Sequence, residues 1–146
     1  MKAVVQRVKK TTLSVDGKLI GEIPFGLTVY LGVKTGDSEK EAAYLAKKIA
    51  ALRIFEDENG KMNLNLEQVG GAMLVISQFT LYADTSSRRP GFSKAAKPDL
   101  AVPLYERFLD QCRARGFRVA HGQFGADMKV ASVNDGPVTI LYDTEQ

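Results

Sequence analysis

Gly70-Gly71-Ala72-Met73-Leu74-Val75-Ile76-Ser77-Gln78-Phe79-Thr80-Leu81 is the stretch whose reading decides the fold. Its middle, Ala72–Ile76, is the most apolar run in the chain and is partly β-branched. Opened by a glycine pair, such a run predicts a strand buried on both faces. Strands of this kind usually stop at a turn residue. This one runs into a serine, an amide, an aromatic ring and a threonine. Polar groups at the end of a rigid buried strand are held in fixed directions, which catalysis requires. The plainer reading is that Ser77 and Thr80 bond only to local backbone where the strand ends.

Upstream, residues 1–34 read as strands. Thr12-Leu13-Ser14-Val15 and Lys18-Leu19-Ile20-Gly21 flank Asp16-Gly17, a two-residue hairpin signal. Leu27–Val33 is a further strand. Ser38 and Glu41 have capping-box spacing. Ala42, Leu45, Ala46, Ile49 and Leu52 then repeat at helical spacing, predicting a first helix from Ser38. Arg53–Glu56 and Lys61–Leu64 bracket Asp57-Glu58-Asn59-Gly60 as a second hairpin. Downstream, Tyr82–Pro98 is polar and predicted to be irregular. A second helix is predicted from Pro98 to Arg115, with Gly116 ending it. Phe117–Ala120, Met128–Val133 and Val138–Tyr142 close the chain as strands.

With 146 residues, the chain is predicted to form one compact domain, 1–146, with a full hydrophobic core. Hydrophobic residues make up 45%, which excludes a disordered composition. No apolar run approaches a membrane span, and the Met1–Lys10 segment lacks a signal-peptide pattern. The net charge of +3 permits an anionic partner without demanding one. The single Cys112 has no internal disulfide partner, which suits a reducing cytoplasm, and its helical spacing from Phe108 and Leu104 predicts a small core residue.

The residues available for chemistry are few. His121 is the only histidine, and nothing in the sequence brings it to Ser77. One histidine and one cysteine do not make a zinc site, and there is no Walker loop or GxGxxG. No metal and no cofactor are therefore expected. Arg88, Arg89, Lys94 and Lys97, with Phe92, lie in the long polar segment; they suit phosphate contact and base stacking, or an ordinary basic surface loop. Arg7 lies between apolar neighbours in a strand. Asn134-Asp135-Gly136-Pro137-Val138-Thr139 reads by default as a turn between two strands.

Taken together, the SQFTL block at Ser77 and the NDGPVT block at Asn134 resemble the paired signatures of D-aminoacyl-tRNA deacylases. The resemblance extends to Val5-Gln6-Arg7-Val8, Arg53-Ile54-Phe55, Gly60-Lys61-Met62-Asn63 and Phe92-Ser93-Lys94, and to the chain length. An animal subgroup with relaxed chirality departs from Ser-Gln-Phe-Thr; this chain does not.

The resemblance implies an α+β fold of mainly antiparallel sheets packed with two main helices. It also implies a homodimer with its active site at the subunit interface; the cytoplasmic setting is expected from the lone cysteine and the absence of a signal-peptide pattern. The substrate implied is D-aminoacyl-tRNA, and some members also clear mischarged glycyl-tRNA. Ser77, Gln78, Phe79 and Thr80 become the catalytic block, with the Phe79 and Thr80 amides suited to a developing oxyanion. Gly136-Pro137 corresponds to a cis-peptide motif that enters the other subunit's pocket and rejects L-amino acids. Arg88, Arg89, Lys94 and Lys97 become tRNA-binding candidates. Because no base is evident beside Thr80, activation of water by the ribose 2′-hydroxyl is the expected route. Two readings compete: an acyl hydrolase with Ser77 or Thr80 as covalent nucleophile, and a non-catalytic nucleic-acid-binding module.

Overall fold

In the computed structural model, which describes residues 1–146, one long strand organises the rest. β1 (Lys2–Val15) pairs antiparallel with three strands. β3 (Gly26–Gly32) takes its first half, β2 (Lys18–Ile23) its second half, and β8 (Met128–Asp143) runs along its whole length. The β1–β2 turn is Asp16-Gly17, both at positive φ (50° and 77°), as a two-residue hairpin of this hand requires.

β6 (Ala72–Ser77) pairs parallel to β3, and β7 (Val119–His121) pairs parallel to β6. Parallel neighbours need a crossover. The β3–β6 crossover carries α1 (Glu39–Ala50) and the small hairpin β4 (Phe55–Glu56) and β5 (Met62–Leu64). The β6–β7 crossover carries α2 (Pro98–Arg113). The two helices pack on one another and on the same sheet face. The sheet, in order β2-β1-β3-β6-β7, curls into a nearly closed barrel. At the seam the Arg118 guanidinium donates to the Glu22 carbonyl at 2.8 Å.

β6 accounts for both cores. Its side chains alternate, so Met73 and Val75 join the large core under the helices while Ala72, Leu74 and Ile76 fill the curl with Val8, Leu13 and Ile23. All five residues of Ala72–Ile76 are buried, as the apolar run predicts. Burying a side chain such as Leu74 or Ile76 contributes about 1.5–3 kcal/mol.

Both helix starts follow their signals, while α1 ends at Ala50, before Leu52, and α2 at Arg113, short of the expected Arg115. Ser38 caps α1: its hydroxyl accepts from the Lys40 amide, and Glu41 Oε2 accepts from the Ser38 amide at 2.9 Å. Pro98 opens α2, whose stripe of Ala101, Leu104, Tyr105, Phe108, Leu109 and Cys112 is buried. Burial pushes the Cys112 thiol up to about 12, so it packs as a neutral core group.

One expectation is corrected. Asn134–Thr139 is not a turn between two strands. β8 continues through it, and the extra residues are absorbed as a bulge opposite Arg7, between the pairs Gln6↔Thr139 and Val8↔Asn134.

Candidate active site

Ser77 ends β6 at the carboxyl edge of the parallel strands, the edge where open α/β sheets place their ligands. The Gln78 amide still bonds the Leu31 carbonyl at 2.8 Å; the chain then tightens into a 3₁₀ turn, Phe79–Tyr82. Such a turn leaves its first N–H groups without partners inside it, here those of Phe79 and Thr80. Gly32 lets the turn lie close over β3. A Cβ there would stand 3.0 Å from both the Gln78 carbonyl oxygen and Leu81 Cβ.

Ser77, Gln78 and Phe79 line a cavity of about 260 Å³. Its opposite walls are Ala96 before α2 and Ala101 within it, Phe124 and Gly125 from the approach to β8, and Met128 and Val130 from β8 itself. These wall residues were not singled out in the sequence; Gln123-Phe124-Gly125-Ala126 carries no motif, and only its position after β7 points to the site. Phe79 remains 55% exposed, a large apolar side chain left uncovered at the mouth.

Thr80 does not line the cavity. Gln78 Nε2 donates to Thr80 Oγ1 at 2.6 Å, the one hydrogen bond made by either the Ser77 or the Thr80 hydroxyl. An amide N–H accepts no proton, so neither hydroxyl has a base. His121 is exposed, with Nδ1 2.7 Å from the Gly122 carbonyl, and lines a different cavity. This arrangement offers backbone donors and a positioned amide rather than an activated side-chain nucleophile.

The second block is built differently. The Gly136–Pro137 peptide is cis, as the resemblance implies. Arg7, only 7% exposed, grips its base: Nε donates to the Asp135 carbonyl at 3.1 Å and Nη1 to the Ile54 carbonyl at 2.7 Å. Asn134 Oδ1 accepts from the Val138 amide at 3.1 Å, and Asn134 Nδ2 donates to Thr139 Oγ1 at 3.2 Å. Gly136 (φ 132°) admits no side chain, since a Cβ would meet Val138 Cγ2 at 2.7 Å. Gly136 and Pro137 are exposed. Within one chain they do not meet Ser77–Thr80. The blocks lie on β8 and β6, with β1 and β3 between, and are offset by the register from Arg7 to Ala3, roughly 20 Å apart.

The basic segment is ordered by two bridges, Asp84↔Gly91 and Lys34↔Ala95. Arg88, Arg89, Lys94 and Lys97 are all exposed on it. Phe92 is half-buried and packs edge-to-face on Phe79, with ring centroids 5.1 Å apart. No cluster of three or more metal-ligating side chains occurs. No helix is long and apolar enough to cross a membrane.

The family model described as D-Tyr-tRNA(Tyr) deacylase matches residues 4–143. A D-aminoacyl-tRNA deacylase of Symbiobacterium thermophilum is 52% identical, covering 100% of this chain and 97% of its own length. One of Roseiflexus castenholzii is 55% identical, covering 99% of this chain and 92% of its own. Among solved structures, a c-Myc DNA unwinding element binding protein superposes with a TM-score of 0.93 at 39% identity, covering 99% of both chains. A probable eukaryotic D-amino acid tRNA deacylase shares the fold, with a TM-score of 0.83 at 17% identity over 97% of each chain.

Proposed function

The chain belongs to the D-Tyr-tRNA(Tyr) deacylase family, and from that premise we propose that the cavity lined by Ser77, Gln78 and Phe79 is where the ester of D-aminoacyl-tRNA is hydrolysed, completed by a second copy of the chain. The activity itself, a carboxylic-ester hydrolase acting on D-aminoacyl-tRNA, comes with the family. The observation that carries the site is the 3₁₀ turn closing β6, with its leading amides unpaired inside the turn beside a cavity.

Hydrolysis drives negative charge onto the ester carbonyl oxygen. The Phe79 and Thr80 amides receive it, and Gln78 orients the turn through Thr80. With no base at either hydroxyl, the attacking water is activated by the ribose 2′-hydroxyl of the terminal adenosine. The products are free amino acid and tRNA, and no metal or cofactor takes part.

Chirality is read by the other block. Gly136-Pro137 of the partner copy faces the substrate's α-ammonium group, and an L-side chain would collide with that backbone. Glycine has no Cβ to collide, so mischarged glycyl-tRNA passes the same test. Two observations favour the dimer. The blocks are roughly 20 Å apart in one chain. β8 also exposes Val133 (58%) and Leu141 (75%), apolar side chains that a second copy would cover. A two-fold arrangement then gives two equivalent sites. Arg88, Arg89, Lys94 and Lys97 bind tRNA phosphates, and the setting is the cytoplasm.

The test is to incubate the protein with matched D- and L-tyrosyl-tRNA and follow release of each amino acid. D-tyrosine is expected to be released and L-tyrosine spared. Equal release would overturn the chirality reading. Binding without release would leave a nucleic-acid-binding module, and a trapped acyl-enzyme would restore a Ser77 or Thr80 nucleophile.

A further inference from the structure

A second and larger cavity, of about 510 Å³, adjoins the first. Both run along one trough between α2 and the 122–128 connection: Ala101 and Gly125 line the first, Tyr105 and Gly122 the second. Phe124 belongs to both walls. Its ring is braced edge-to-face by Tyr105, with centroids 6.2 Å apart, and the buried Tyr105 hydroxyl donates to the Val75 carbonyl at 2.8 Å. The ring between the cavities is thus tied to the strand that ends in Ser77.

The outer side of the second cavity is polar. Glu106 and Asp110 lie one turn apart on α2 and are both exposed. Arg113 Nη1 pairs with Asp110 Oδ1 at 3.4 Å, while Glu106 makes no hydrogen bond or ion pair. A fixed aromatic ring with a free carboxylate beyond it suits a flat heterocycle bearing an exocyclic amine. Unstacked RNA bases are held by aromatic stacking together with hydrogen bonds to their edges, and a carboxylate accepts from the cytosine amino group. The volume falls within the range of about 300–1,000 Å³ of small-ligand sites.

Resting on the reading that the first cavity takes the terminal aminoacyl-adenosine, we infer that the second takes the nucleotide before it, the cytidine that precedes the terminal adenosine of tRNA, and that Glu106 selects its amino group. Phe124 separates two consecutive bases. The site then reads two nucleotides of its substrate rather than one.

Three minimal substrates test this: D-tyrosyl-adenosine, D-tyrosyl-CpA and D-tyrosyl-UpA, each esterified on the terminal 3′-hydroxyl. The CpA ester should be cleaved with a KM on the order of tenfold below that of the UpA ester. Glu106→Gln should bring the two KM values together. Being an exposed substitution outside the catalytic block, it should leave cleavage of D-tyrosyl-adenosine unchanged. Equal KM values for CpA and UpA in the unmodified protein would overturn the inference, as would an equal effect of Glu106→Gln on all three esters. If none of the esters is cleaved, and D-tyrosyl-tRNA is not cleaved either, the underlying reading of the first cavity falls. If D-tyrosyl-tRNA alone is cleaved, two nucleotides do not constitute the recognised unit and the inference falls by itself.

Discussion

Ser77–Thr80 and Asn134–Thr139 reach the surface by opposite routes. The first follows a strand buried on both faces, and its geometry comes from packing beneath it. It has a cavity and unpaired amides, but its aromatic residue is uncovered. The second is a bulge within a strand of which only Val138 is fully buried, and its geometry comes from hydrogen bonds with Arg7, Asn134 and Thr139. It exposes the backbone of Gly136 and Pro137, and the hollow of about 270 Å³ at its base is lined by Asp135 with Arg7, Lys9, Phe55 and Glu56. On the function proposed above, one block is a socket and the other a plug, and a second copy of the chain would join them.

The sharpest way to break the comparison is to remove a donor from the socket. Phe79→Pro deletes one amide and is expected to lower kcat on D-tyrosyl-tRNA by about 10²- to 10³-fold, read in single-turnover deacylation. Activity within tenfold, in a variant with unchanged thermal melting, would move the oxyanion site away from the turn.

Next comes the plug's anchor. Arg7→Ala leaves the buried Ile54 carbonyl and the Asp135 carbonyl without their charged donor. A loss of about 2–3 kcal/mol of stability is expected from denaturant melts. D-tyrosyl-tRNA cleavage should fall further than the folded fraction does. If stability drops but cleavage per folded molecule holds, Arg7 supports the fold and not the loop's aim.

The smallest effect is expected at Thr80. Thr80→Val removes one neutral hydrogen bond, worth about 1 kcal/mol or roughly fivefold in rate. Steady-state deacylation should therefore stay within that range. Complete loss of activity would return Thr80 to the role of nucleophile and make the socket a covalent site.

How much of this could be read beforehand depends on how far apart in sequence the partners lie. β6, the Asp16-Gly17 hairpin, the Ser38 cap and the α2 stripe were legible because each is decided by neighbours within a few residues. The Asn134 block was misread as a turn because Asn-Asp-Gly-Pro has the local chemistry of one. What overrides it is pairing with β1, more than 120 residues away, on both sides of the bulge. Arg7 was noticed but not placed, since its acceptors Ile54 and Asp135 lie 47 and 128 positions along the chain. The walls at Phe124–Val130 were invisible, because a cavity wall needs only to be nearby and leaves no pattern. The contact of Phe92 with Phe79, 13 positions away, carries no local pattern either.

Gly32 carries a last consequence. The turn bearing the unpaired amides rests so closely on it that a single added methyl would stand 3.0 Å from the Gln78 carbonyl oxygen. To a mutational scan, then, position 32 would look catalytic, although it has no side chain with which to touch a substrate. The lineage of such a protein is constrained by a vacancy as firmly as by any functional group, and a drift from glycine to alanine would tilt the donors without altering one residue of the signature that carries them.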